Sequence, residues 1–254
     1  MSFEFTKENI DLYLKALAKE YRRLIGKAMP AELILIGGAS VLINYGFRNM
    51  TTDIDALIHG ASAMKDAIRH VGDMYRLPNG WLNADFIRTE SYSPQIETHS
   101  IYYKTYSNVL TIRTVSAEYL IAMKLKSGRQ YKSDLSDVLG ILAEHEKQGV
   151  SIAIEQIQKA SVDLYGAWEV IPEPSRSFIH NVMKNGHFET LYEQILVDEA
   201  ETKRLLKGFE SDYPHIMNEK NADSIAEDLQ KKADRASVMA ELRKRKTEQA
   251  EKQE

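Results

Sequence analysis

Apolar residues recur along this chain in two rhythms, and each predicts a kind of element. From Thr6 to Ile25, Ile10, Leu14, Leu17, Tyr21, Leu24 and Ile25 fall three or four residues apart, with Lys and Glu on the other face. That spacing predicts an amphipathic helix, with Thr6 and Asn9 as its cap and Gly26 and Pro30 as its end. Leu33 to Ile36 is a short apolar run cut off by Gly37-Gly38, which reads as a buried strand entering a turn. The apolar segment after Ala39-Ser40 can start a helix. Asp53-Ile54-Asp55, followed by Ala56, Leu57 and Ile58, reads as a second strand. Period two puts its carboxylates on one face and Ile54 on the other.

Further on, Ala61 to Val71 suits a short helix, and Pro78-Asn79-Gly80 a turn, with Trp81-Leu82 packing over a core edge. Ile96 to Tyr106 and Val109 to Val115 read as strands, with Asn108 at the turn of a hairpin. Ser116 caps a helix reaching Ser127, whose apolar stripe is Leu120, Ile121 and Leu125; Leu135, Val138, Leu139 and Leu142 mark the next helix. From Ser151 the chain reads as helical, with a break at Pro172-Glu173-Pro174. A boundary near Gly149 is expected to divide a core (1–149) from a helical region (150–222), with a charged helical or frayed tail over 223–254. The nine Lys/Arg and nine Asp/Glu from Glu219 to Glu254 balance, so the tail is not a basic nucleic-acid arm, despite the local run Arg243 to Lys246.

Composition narrows the function. A chain of 254 residues with 43% hydrophobic content holds a substantial core. A net charge of -4 predicts no general attraction to nucleic acid or to an anionic membrane. The absence of cysteine excludes disulfides, thiolate catalysis and cysteine-based zinc sites. No apolar run approaches the length of a membrane span and the first residues lack a signal core, so a cytoplasmic protein is the simplest expectation.

Candidate chemistry gathers in two stretches. In the first, Gly37-Gly38 lets backbone approach a bulky anion, and the helix start behind it offers amides to a phosphate. Fifteen residues after Gly38 stand Asp53 and Asp55, two hard-oxygen groups suited to Mg²⁺. In the second, Lys124 falls within the apolar stripe of its helix, where its ammonium either snorkels to solvent or pairs with an acid or anion. Asp134 and Asp137 lie close to each other at the start of the next helix, where the dipole alone could explain one of them. Asp85 reads as a polar loop residue or cap, or as a third catalytic carboxylate.

In this order and spacing, Ile36, Gly37, Gly38, Asp53, Ile54, Asp55 and Ala56 resemble the signature of the nucleotidyltransferase superfamily with the polymerase-beta-type fold. Glu118, Leu120, Ala122, Met123, Lys124, Leu125, Arg129, Asp134 and Asp137 resemble the second block of its toxin-type branch, the abortive-infection (AbiEii-like) proteins and an uncharacterised relative. Trp81-Leu82-Asn83 and the lead-in Arg48, Thr52, Asp53 match that relative, and the likeness covers about Leu33 to Glu144. It implies an α+β fold: a nucleotidyltransferase-type mixed sheet flanked by helices, followed by a mainly helical C-terminal region.

The resemblance also implies a chemistry. Asp53 and Asp55 would hold Mg²⁺ or Mn²⁺, Gly37 to Ser40 would hold the β- and γ-phosphates of a nucleoside triphosphate, and Lys124 would meet those phosphates with Arg129 nearby. Asp137 or Asp134 would complete the acidic cluster. The acceptor would be a tRNA 3′ end or a protein hydroxyl, in a toxin–antitoxin or phage-defence setting with an antitoxin partner. One departure stands out: many superfamily enzymes carry a third metal-binding acid on a later strand, and Val109 to Val115 has none. The alternative is therefore an inactive nucleotide-binding or protein-interaction module on the same fold.

Overall fold

The computed structural model describes residues 3–129, 133–218 and 221–233. Its chain divides into two compact units, one holding residues up to 128 together with 137–191, the other 129–136 together with residues from 192 on. The first unit is α+β. Helix α1 (Lys7–Ile25) leads into strand β1 (Ala31–Leu35), helix α2 (Gly37–Asn44), strand β2 (Ile54–His59), helix α3 (Ala63–Tyr75) and the two-residue strand β3 (Leu82–Asn83). A hairpin of β4 (Ser100–Tyr106) and β5 (Leu110–Val115) follows, then α4 (Ala117–Ser127), α5 (Asp134–Lys147), α6 (Ile154–Tyr165), α7 (Glu173–Asn185) and α8 (Phe188–Asp212).

The sheet order is β3-β2-β1-β5-β4. β1 pairs antiparallel with β2 and parallel with β5, so the sheet is mixed. The register sets Leu35 opposite Ala56 and Leu33 opposite Ile58, which places the end of β1 beside the start of β2. The Ile36 amide closes this junction by donating to the Asp55 carbonyl at 2.9 Å. In the hairpin, Ser107 and Asn108 both take positive φ, the conformation that a tight turn between twisted strands requires.

α1 is capped as its sequence predicts. The Thr6 side chain accepts from the Asn9 amide, and the Asn9 side chain accepts in return from the Thr6 amide. Its buried face, with Leu14, Leu17 and Tyr21, joins Leu33, Leu35, Ala56 and Ile112 from the sheet and Met64 and Val71 from α3 in one core. Trp81 seals the edge of this core, its indole donating to the Ile68 carbonyl at 3.1 Å.

α4 differs from the expected stripe. Ala117 and every residue from Tyr119 to Leu125 are buried, because α2, α6 and α7 all pack against it. Residues 154–165, packed on α4, lie in the first unit with it. α5 is seated on the loop after α2: Glu144 accepts from the Gly46 amide at 2.9 Å, and Gly140 presses its bare backbone against the Phe47 ring. Pro172 and Pro174 do not simply break the chain but start α7, where a missing amide costs little.

The second unit is helical. Within it the buried Glu199 on α8 accepts from the amide and hydroxyl of Ser136, at 3.1 and 2.8 Å. Gln230, in the helical stretch that follows Asn221, donates to the Thr202 hydroxyl at 2.6 Å. Most of the expected charged tail, from residue 234 on, lies outside the described residues, as does the basic run from Arg243 to Lys246. Among the described residues, no helix is long and apolar enough to cross a membrane.

Candidate active site

The junction of β1, α2 and β2 organises the site. Gly37 opens α2 with φ +56°, a conformation that a side chain resists, and it turns the chain from strand into helix within one residue. No side chain caps α2 and its first turn holds no acid, so its first amides present partial positive charge without an internal anion. A Cβ placed on Gly37 would lie 3.9 Å from Asp55 Oδ2, so the Asp55 carboxylate stands directly against the turn. Asp55 is half-buried in β2, and Asp53, two residues earlier, is exposed.

Gly38 is glycine for a different reason. A Cβ there would meet Thr51 Oγ1 at 2.7 Å and Arg48 Nη2 at 2.9 Å. These side chains sit close because the chain returning from α2 is pinned to its start: Phe5 and Thr51 exchange backbone hydrogen bonds of 2.8 and 2.9 Å. Arg48 is fixed further by donating from Nε to the Met50 carbonyl at 3.0 Å. Thr52, the next residue, is exposed.

From Gly38 the site continues into the second stretch. Arg48 Nη1 donates to both oxygens of Asp137, at 2.6 and 2.5 Å. On the other side Lys124 Nζ lies 2.8 Å from Asp137 Oδ2. Lys124 is 9% exposed and Asp137 2%. The lysine therefore turns inward and pairs with an acid instead of snorkelling. Asp55, Gly37, Gly38, Arg48, Asp137 and Lys124 thus form one unbroken run of neighbours.

The other expected site residues fall elsewhere. Ser40 is fully buried and its hydroxyl accepts from the Val115 amide at 3.2 Å, so it ties α2 to the end of β5. Asp134, in the second unit, is fully buried and accepts from Arg129, whose Nε lies 2.9 Å away and whose amide lies 3.3 Å away. Asp137, expected as a member of the acidic cluster, has its carboxylate shared by two cations. Among the described residues, no group of three or more His, Asp or Glu side chains could hold a metal ion. Asp85 is an exposed residue near Arg88, at 3.8 Å, and its amide donates to Asn83 Oδ1. Lys126 points away from the run, its ammonium donating to the Val170 carbonyl at 3.1 Å.

Arg48 is the residue whose role sequence reasoning placed least well. The lead-in of Arg48, Thr52 and Asp53 marked it, but nothing local announced that it would span from Gly38 to Asp137, 89 residues on from Arg48.

The donor set suits a hard divalent cation. Mg²⁺ takes one or two protein carboxylates and completes its shell with water and substrate phosphate, so Asp53 and Asp55 could hold it without a third acid. Without a third acid, substrate phosphates would have to supply more of that shell.

A family model described as "Nucleotidyltransferase of unknown function (DUF6036)" matches residues 13–146, which take in both stretches and every residue of the run. Neither the curated proteins nor the solved structures give a match.

Proposed function

The chain belongs to this nucleotidyltransferase family, and on that premise we propose that it moves a nucleoside monophosphate from a nucleoside triphosphate to an acceptor hydroxyl. The observation that carries the reading is the run from Asp55 through the Gly37-Gly38 turn to Lys124. It sets a carboxylate, uncapped helix amides and two cationic side chains side by side, the groups that a metal-bound triphosphate needs.

The acceptor oxygen attacks the α-phosphorus, the bond from that phosphorus to the bridging oxygen breaks, and pyrophosphate leaves with the acceptor's proton released to solvent. A cation held by Asp53 and Asp55 would neutralise the triphosphate and favour the ionised acceptor. The amides at the start of α2 receive the β- and γ-phosphates. Lys124, held by Asp137 until substrate arrives, meets the charge that develops on the leaving group. Arg48 keeps Asp137 in place throughout, with both carboxylate oxygens engaged.

The resemblance to toxin-type relatives supports a tRNA 3′ end or a protein hydroxyl as acceptor, with an antitoxin as partner. A second reading, nucleotide binding without transfer, draws on the strand β5, Leu110–Val115, which carries no acid.

The deciding experiment incubates the protein and Mg²⁺ with each labelled triphosphate, total tRNA and total protein. Label in a macromolecular fraction supports transfer; binding of nucleotide without label transfer supports the second reading. Lys124→Ala is expected to reduce transfer by more than about tenfold, as for lost electrostatic stabilisation. Lys126→Ala, which removes only a hydrogen bond to the Val170 carbonyl, should leave it near wild type. Equal effects of the two substitutions would remove Lys124 from the reaction.

A further inference from the structure

A groove of ≈ 400 Å³ runs between α1 and the end of α3 in the first unit. Its floor is Leu12, Ala16, Met74 and Tyr75, and its rim is basic. Leu12 is 47% exposed and Met74 65%, although each stems from a helix that packs one face into the core. Lys15, Lys19 and Arg23 recur every four residues along α1, so they line one side over about 12 Å, roughly two helical turns.

The acids on this side of α1 are already taken. Glu20 accepts from Arg23 at 2.9 and 2.7 Å and lies 2.7 Å from His70, and these partners, Arg23 foremost, hold its carboxyl down to about 2. Asp11 is bound by Lys104 and by the Tyr106 hydroxyl. Among the described residues, Lys15 and Lys19 make no ion pair. An apolar floor flanked by ammonium groups in no direct ion pair, Lys15 being only within the field of Asp11, is thus left open on a chain whose net charge is -4.

We propose that this groove docks an acidic, amphipathic protein segment, with aliphatic side chains on Leu12 and Met74 and carboxylates against Lys15 and Lys19. Charge complementarity selects the acidic partner. The floor selects protein over nucleic acid: aliphatic and thioether groups adapt to aliphatic side chains, whereas bases need an open aromatic face for stacking. The one ring at the floor, Tyr75, is engaged edge-to-face with Tyr13 at 5.2 Å between centroids. The groove lies outside the run from Asp55 to Lys124, so docking here is independent of the proposed transfer.

Three fluorescein-labelled probes test this on the full chain by anisotropy: a helix-forming peptide with a leucine stripe flanked by glutamates, the same peptide with serine for leucine, and a short single-stranded RNA. The leucine–glutamate peptide should bind, the serine version at least roughly tenfold more weakly. Hydrogen-exchange protection should be confined to α1 and the end of α3. K15Q/K19Q, which breaks no direct ion pair, should weaken binding roughly tenfold with thermal unfolding little changed. M74S should do the same without altering the charge. No binding by the leucine–glutamate peptide, binding that ignores these substitutions, or preference for the serine peptide or the RNA would each overturn the proposal.

Discussion

Asp137→Ala should destabilise the protein by about 3–5 kcal/mol, more than any other single change in the candidate site. The Asp137 carboxylate is almost inaccessible to water and accepts from Arg48 and Lys124 at once. Removing it takes from a buried ammonium and a largely buried guanidinium the carboxylate that they share. Losing a shared anion in a desolvated place is what makes such a deletion costly, not the worth of the ion pairs, which dehydration on folding largely cancels. Asp137→Asn should fall in between, because the amide oxygen still accepts from one cation. Urea unfolding followed by circular dichroism measures both changes. A loss below about 1 kcal/mol for the alanine variant would place it among ordinary surface substitutions and mean that water or other groups offset the cations' charge.

Asp53→Ala and Asp55→Asn should behave in the opposite way: transfer lost, fold kept. Disturbing groups that merely support a metal ligand costs up to about 100-fold, so removing a ligand should cost more than that. Stability should change by no more than about 0.5 kcal/mol for Asp53, which is exposed. Asp55 is half-buried against Gly37, and asparagine keeps its shape and hydrogen-bonding capacity while deleting one of two repelling charges. Label transfer and thermal unfolding on the same preparations separate the two effects. Wild-type transfer in either variant would show that the assigned carboxylates do not hold the metal.

The elements that the sequence made legible are those fixed by local rhythm. α1 with its Thr6 cap, the strand before Gly37 and the hairpin around Asn108 lie where periodicity and turn chemistry put them. Their edges shift where longer-range pairing takes over: β1 starts at Ala31 because β5 continues alongside it, and the segment before β4 is a 3-10 turn opened by Pro94. Lys124 could be read as inward from its helical position, and Asp137 as an available acid. The reason for Gly38 could not. Its missing side chain answers to Arg48 and Thr51, which return to it only because the chain between is folded back and pinned at Phe5. The part that Ser40 plays in the fold was hidden for the same reason, since its buried hydroxyl serves the Val115 amide on a strand that no local pattern places beside it.

Arg48 touches the glycine turn with one nitrogen and Asp137 with another. In genetic terms the two stretches are therefore not separate targets. A substitution at Gly38 that shifts Arg48 also loosens its hold on Asp137, and so spends part of the effect that a change at Asp137 would have had. Replacements at 38, 48 and 137 should accordingly show epistasis, with double variants milder than the sum of the singles. Chains that drift in sequence would change these three positions together or not at all.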